Sequence, residues 1–187
     1  MSSISLPPLK PDASALIVVD LQDRLLAAMT NADTVVAAAE RMIRAANVLR
    51  VPIIVTEQYP TGLGKTCSAI QSAIDSTDVK AVEKLRFTGC VDEVVSQLAA
   101  HQRRSVIVVG IEAHVCLQQT VLDLLRLGYQ PYVCVDAITS RRAYDRDVAI
   151  ERMRDAGAVI TTTESVIYEL LDRAGTDQFK QILKIVK

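Results

Sequence analysis

Ser105-Val106-Ile107-Val108-Val109-Gly110-Ile111-Glu112-Ala113-His114-Val115-Cys116 is the stretch from which the fold of this chain can be read. It opens as a β-branched apolar run ending in glycine, the signature of a strand buried on both faces. Leu117 to Leu127 follows, with apolar residues 117, 121, 124 and 125 at helical spacing. Strand then helix places Cys116 near a helix N-terminus, where the helix dipole and unpaired backbone N–H groups favour a thiolate. Taken alone, the same thiol has a plainer reading as a structural cysteine packed at a strand–helix junction, because free cysteine is among the most buried residue types.

The same alternation extends in both directions. Ala15 to Asp20 is an apolar run closed by a carboxylate, and Pro52 to Thr56, Val79 to Val82, Pro131 to Asp136 and Val159 to Thr162 read as further strands. Thr34 to Leu49 places apolar residues 35, 36, 39, 42, 43 and 46 on one helical face. Shorter helices are expected over 69–74, 91–100, 145–155 (capped by Asp145), 164–171 and 177–186. Residues 21–29 and the segment Glu57 to Gly64, with its proline and two glycines, read as loops. Gly128 and Gly157 stand where left-handed caps would end helices before strands. Six strands alternating with helices predict an α/β fold: a three-layer αβα, doubly wound, six-stranded, mainly parallel Rossmann-like sheet. Residues 1–12 are expected to be a flexible segment, and 13–187 a single domain of a size that buries a substantial core.

Composition narrows the function classes. The formal net charge of −1 has both signs mixed along the chain, which gives no footprint for nucleic acid or an anionic membrane. No apolar run approaches a membrane span. The start Met1 to Lys10 has no apolar signal core and no arginine, so a cytosolic address is expected, with mitochondrial association left open. The four cysteines form no C-x-x-C pair and read as reduced thiols, and the two histidines lack zinc-ligand spacing, so neither a metal nor another cofactor is expected.

In open parallel sheets ligands bind beyond the carboxyl ends of the strands, where strand order reverses. Asp20 ends the first strand, Lys84 follows the third and Cys116 follows the fourth. Together they make a chemically sensible set: a nucleophile, a carboxylate to take its proton and an ammonium to balance the charge. Each has a bland alternative, Asp20 as a loop cap and Lys84 as a solvated charge beside Glu83. It is their common placement at strand ends that favours chemistry.

These residues lie in motifs, Val18-Val19-Asp20-Leu21-Gln22, Glu83-Lys84-Leu85-Arg86-Phe87-Thr88 and Gly110 to Cys116, whose order and spacing resemble the isochorismatase-like cysteine hydrolases. The likeness runs from about Ala15 to the C-terminus and is nearest to the isochorismatase domain-containing proteins, through Thr56-Glu57-Gln58-Tyr59-Pro60, Gly62-Leu63-Gly64 and Ser140-Arg141. The resemblance implies a Cys116 nucleophile, an Asp20 base and Lys84 as third member of a triad. It also implies a cis peptide between Ile111 and Glu112, an oxyanion hole from the backbone N–H groups of Glu112 and Cys116, and a thioester route for hydrolysing a small amide-type substrate. Gln22, Tyr59, Phe87 and His114 are candidate pocket residues, His114 with a structural role slightly preferred.

Departures from the family pattern exclude some activities. Nicotinamidases of this family hold a metal through Asp and His after the second strand, where this chain has Glu57, Gln58 and Tyr59; true isochorismatases lack the nucleophilic cysteine. Thr88 stands where serine is more usual. Family members are usually dimers or larger, so a homodimer or higher homo-oligomer is expected, with a small molecule as the other partner. Two rival readings stand beside the hydrolase: a scaffold of the same fold with little turnover, and the label "ribonuclease" carried by some proteins resembling this subgroup, which the charge distribution supports poorly.

Overall fold

The structure, a computed structural model, describes residues 9–74 and 79–187. Its centre is a six-stranded sheet: β1 (Ser14–Val19), β2 (Ile53–Gln58), β3 (Val82–Lys84), β4 (Ser105–Ile111), β5 (Gln130–Thr139) and β6 (Val159–Thr161). The spatial order is β3-β2-β1-β4-β5-β6, and every pair is parallel. The chain winds outward from β1 to β3, then returns to lay β4 on the other side of β1. The reversal therefore opens a crevice beyond the carboxyl ends of β1 and β4. β1, β2 and β4 are buried along their whole length, which explains why they read as continuous rather than alternating apolar runs.

The helices are α1 (Asp23–Leu26), α2 (Ala32–Leu49), α3 (Pro60–Leu63), α4 (Ser68–Ile74), α5 (Asp92–His101), α6 (Gln118–Arg126), α7 (Ala143–Asp155), α8 (Thr163–Leu171) and α9 (Asp177–Val186), with a π-helical turn, Ala113–Leu117, ahead of α6. Two apolar clusters fill the spaces on either side of the sheet. One joins Leu16, Val18, Ile107 and Val109 to α2, α4, α8 and α9; the other joins Ile17, Val19, Val106 and Val108 to α5, α6 and α7. Alternate residues of one strand thus serve opposite cores. The expected three-layer doubly wound architecture is the one observed.

The boundaries differ in instructive places. The third strand lies at Val82–Lys84 rather than over 79–82, because its pairing partners are Thr56, Glu57 and Gln58 at the end of β2. Two short helices, α1 and α3, occupy segments expected as loops. They are single turns held by neighbours, too short to carry a periodic signal. α7 starts two residues before Asp145, with Arg142 at the cap position and no side-chain cap, so Asp145 sits in the first turn instead of capping it. Gly128 and Gly157 have positive φ, and Tyr129 N–H reaches Leu124 O (2.9 Å) and Ala158 N–H reaches Met153 O (3.0 Å), as in Schellman ends. The flexible segment expected over 1–12 falls mainly on residues 1–8, outside the described residues; Leu9 is buried against the first core cluster.

Gly110 is where β4 most needs glycine. Its φ is +126°, and a Cβ there would stand 2.0 Å from the Val19 carbonyl oxygen on the neighbouring strand. Neither the backbone nor β1 can yield without opening the sheet beside the crevice. Gly110→Ala is expected to destabilise the fold by about 3 kcal/mol or more, read as a lower urea midpoint; a midpoint equal to wild type would contradict this packing.

Candidate functional site

The crevice is built from strand ends in register. Val19 pairs with Thr56 on one side and Gly110 on the other, and Gln58 pairs with Lys84. The first residue beyond β1 is Asp20, at φ +51°, a left-handed conformation that aspartate tolerates better than most residues. Its carboxylate is fully buried. One oxygen accepts from the Thr56 hydroxyl (2.7 Å) and the other from Lys84 Nζ (2.7 Å).

Lys84, buried at the last position of β3, spends its ammonium protons inside the protein. Nζ donates to Asp20, to Gln58 Oε1 (2.7 Å) and to the Phe87 carbonyl (3.1 Å). An ammonium and a carboxylate so far from water persist only when paired and hydrogen-bonded on every side. The solvated-charge reading of Lys84 does not survive this environment.

Cys116 lies within the π-helical turn, one residue before its end, rather than at the start of α6. Its thiol is 3.9 Å from Gln58 Oε1, the amide oxygen that also accepts from Lys84. Burial, followed by the Asp20 charge, pushes the thiol up to about 12; Lys84 pulls it down but is outweighed. This corrects the expectation of a resting thiolate, since removal from water and the adjacent carboxylate both oppose the charge. Cys116 is held as a thiol near a buried carboxylate.

The peptide between Ile111 and Glu112 is cis. After it, the Glu112 carbonyl collects the N–H groups of Val115 (3.0 Å) and Leu117 (3.2 Å), winding the backbone tightly around Cys116. The Glu112 N–H has no acceptor among the described residues. The Glu112 carboxylate faces away, accepting from Arg141 N–H (3.0 Å) and Nε (3.1 Å).

Of the candidate pocket residues, Gln22 is a brace and not a wall. It is fully buried, its Oε1 accepts from Gln58 N–H (2.7 Å), and its Nε2 donates to Gln58 O (3.1 Å) and Gly64 O (2.6 Å). Tyr59 is half exposed and lines a 410 Å³ cavity with Pro60, Thr61, Glu83, Lys84 and Leu85. Phe87 is also exposed, while its carbonyl holds Lys84. His114 Nδ1 lies 2.9 Å from Ser140 Oγ and its Nε2 3.9 Å from Asp145, so the ring is tied to the β5–α7 connection.

Gln58 and Thr56 are the site residues that sequence reading missed. Both look like unremarkable polar positions at a strand end; only their register against Asp20 and Lys84 gives them work. Glu57, between them, is buried and anchors the following loop through Thr66 N–H (2.7 Å), Thr66 Oγ1 (2.8 Å) and Lys65 (3.2 Å). Among the described residues there is no group of three or more His, Cys, Asp or Glu able to hold a metal ion, and no helix long and apolar enough to cross a membrane.

Comparison with known proteins agrees with this architecture. The secreted isochorismatase effector Isc1 of Phytophthora sojae is 42% identical over 180 residues, covering 95% of this chain and 86% of that protein. The mouse isochorismatase domain-containing protein 2A is 40% identical over 98% of this chain and 87% of its own. The solved structure of MAR1 ribonuclease from Caenorhabditis elegans superposes with a TM-score of 0.92 at 37% identity, covering 96% of this chain and 92% of that one. With the isochorismatase domain matched across residues 14–165, the chain belongs to the isochorismatase family and carries its hydrolase fold.

Proposed function

We propose that this protein is a cysteine-dependent hydrolase of a small amide-type substrate, with Cys116 as nucleophile, Asp20 as general base and acid, and Lys84 as the group that holds Asp20. The observation that carries the reading is the fully buried Asp20–Lys84 pair, 2.7 Å apart, with the Cys116 thiol 3.9 Å from the Gln58 amide oxygen that also accepts from Lys84 Nζ. A lysine and an aspartate sealed from water are a poor way to gain stability, because desolvation offsets most of their attraction. Beside a thiol at a topological switch point, they make a proton relay.

In the proposed cycle, the thiol proton passes to Asp20 as sulfur attacks the substrate carbonyl carbon. The oxyanion is met by the backbone N–H groups of Glu112 and Cys116, donors of the kind that contribute about 3 kcal/mol each. The tetrahedral adduct collapses, the C–N bond breaks, and Asp20 returns the proton to the leaving amine. Water then gives its proton to Asp20 and attacks the thioester, and the departing Cys116 sulfur recovers that proton to regenerate the thiol and the free acid. The raised thiol fits this order, since the nucleophile ionises only as it attacks and Asp20 is already in place.

Three outcomes are expected. On a panel of small amides and ureides, Cys116→Ala should lose at least about 1,000-fold in kcat/KM for any substrate turned over; turnover equal to wild type would overturn the mechanism, as would RNA cleavage by pure protein that survives this substitution. Asp20→Asn should also lose turnover, yet its Cys116 should react faster with iodoacetamide at a fixed pH. Removing the negative charge that opposes ionisation moves the thiol's rate–pH profile to lower pH, whereas an unchanged profile would disconnect the two groups. Lys84→Met leaves the Asp20 carboxylate buried without its cation and should lower unfolding stability by about 3–5 kcal/mol, measured by urea titration; no loss would show the pair to be energetically idle.

A further inference from the structure

Behind the catalytic crevice, on the face covered by α6 and α7, is a polar recess of about 450 Å³. Arg86, Arg126 and Arg152 stand in its wall with a single carboxylate, Asp123. That carboxylate binds Arg126 Nη1 at 2.6 Å. The guanidinium groups of Arg86 and Arg152 have no hydrogen-bond or ion-pair partner among the described residues, so the recess holds uncompensated positive charge in a chain whose net charge is −1.

A second feature suits a ligand. The side chain of Gln118 lines the same recess and has no hydrogen-bond partner among the described residues, so its amide is free to donate into the recess. Thr88, buried beside it, accepts from Cys90 N–H (3.1 Å) through its hydroxyl oxygen and keeps its own O–H to donate.

Arginine guanidinium groups match the oxygen pairs of carboxylates and phosphates, and amide N–H and hydroxyl donors complete such a cradle. We propose that this recess is a binding site for a small carboxylate- or phosphate-bearing anion, held by Arg86, Arg126 and Arg152 and capped from within by Gln118 and Thr88. It adjoins the chemistry directly: Gln118 is two residues beyond Cys116, and the carbonyl of Phe87, which lines the recess, holds Lys84 Nζ. The anion is either the acidic end of the substrate or a separate small anion that reports on the site.

The test uses inorganic phosphate and the full chain, at ionic strength held constant with sodium chloride. Phosphate at about ten times its Kd should raise the wild-type Tm by roughly 3–5 °C. Arg86→Gln/Arg152→Gln, two exposed positions outside the proposed triad, should fold normally and lose the rise. No rise in wild type, or an equal rise in the double variant, overturns the site. Cys116→Ala should keep the full phosphate response, which separates this site from the fate of the proposed hydrolysis. Given the response, the rate of Cys116 alkylation by iodoacetamide tells the sources apart: phosphate slows it when the anion site is part of the substrate's path, and leaves it unchanged when the anion binds apart from it.

Discussion

A carboxylate and an ammonium 2.7 Å apart, both sealed from solvent, lie at the point where the sheet reverses its strand order. Leaving either without the other would strand a charge in the core, so each element that touches the pair is constrained by it. β1 must end at Asp20 with a left-handed turn so that the carboxylate meets Thr56 and Lys84. β3 must be short, because Lys84 is its last residue and the chain then bends back to offer the Phe87 carbonyl. β2 lies between them and supplies Thr56 to one partner and Gln58 to the other.

The loop beyond β2 is held by the same economy. Gln22, just after Asp20, clasps both backbone groups of Gln58 and reaches the Gly64 carbonyl, while Arg24 donates to Gly62 O. A side chain at Gly62 would meet the Tyr59 ring at 2.1 Å, so the half-exposed ring would have to swing aside. Glu57 fastens the far end of the loop at Thr66. A segment rich in proline and glycine, expected to be an open loop, is therefore a braced wall of the crevice.

The environment of Cys116 shows how tertiary burial can reverse a local argument. Proximity to Lys84 favours a thiolate, and that influence is real. Within the π-helical turn the sulfur is buried, and loss of water and the Asp20 charge outweigh it and hold the proton on sulfur. Under the proposed chemistry this is an advantage, because a protonated, sheltered thiol resists oxidation and adventitious alkylation until a carbonyl is presented.

Much of this was legible in the chain itself. Apolar β-branched runs, each bounded by glycine, proline or a charge, mark the strands, because the parts of a central strand that face both cores are filled by apolar side chains; their alternation with helical periodicity leads to the doubly wound sheet. Asp20, Lys84 and Cys116 could be singled out because strand ends are where such sheets place reactive groups. What the sequence could not express is register and burial. Gln58, Thr56 and Gln118 are ordinary polar residues until strand pairing sets the first two against Lys84 and Asp20, and helix packing sinks the third into a recess of arginines. The short helices α1 and α3, the true position of β3 and the protonated state of Cys116 belong to the same class. Each is decided by contacts between residues distant in sequence, and by the loss of water those contacts bring, which no local pattern encodes.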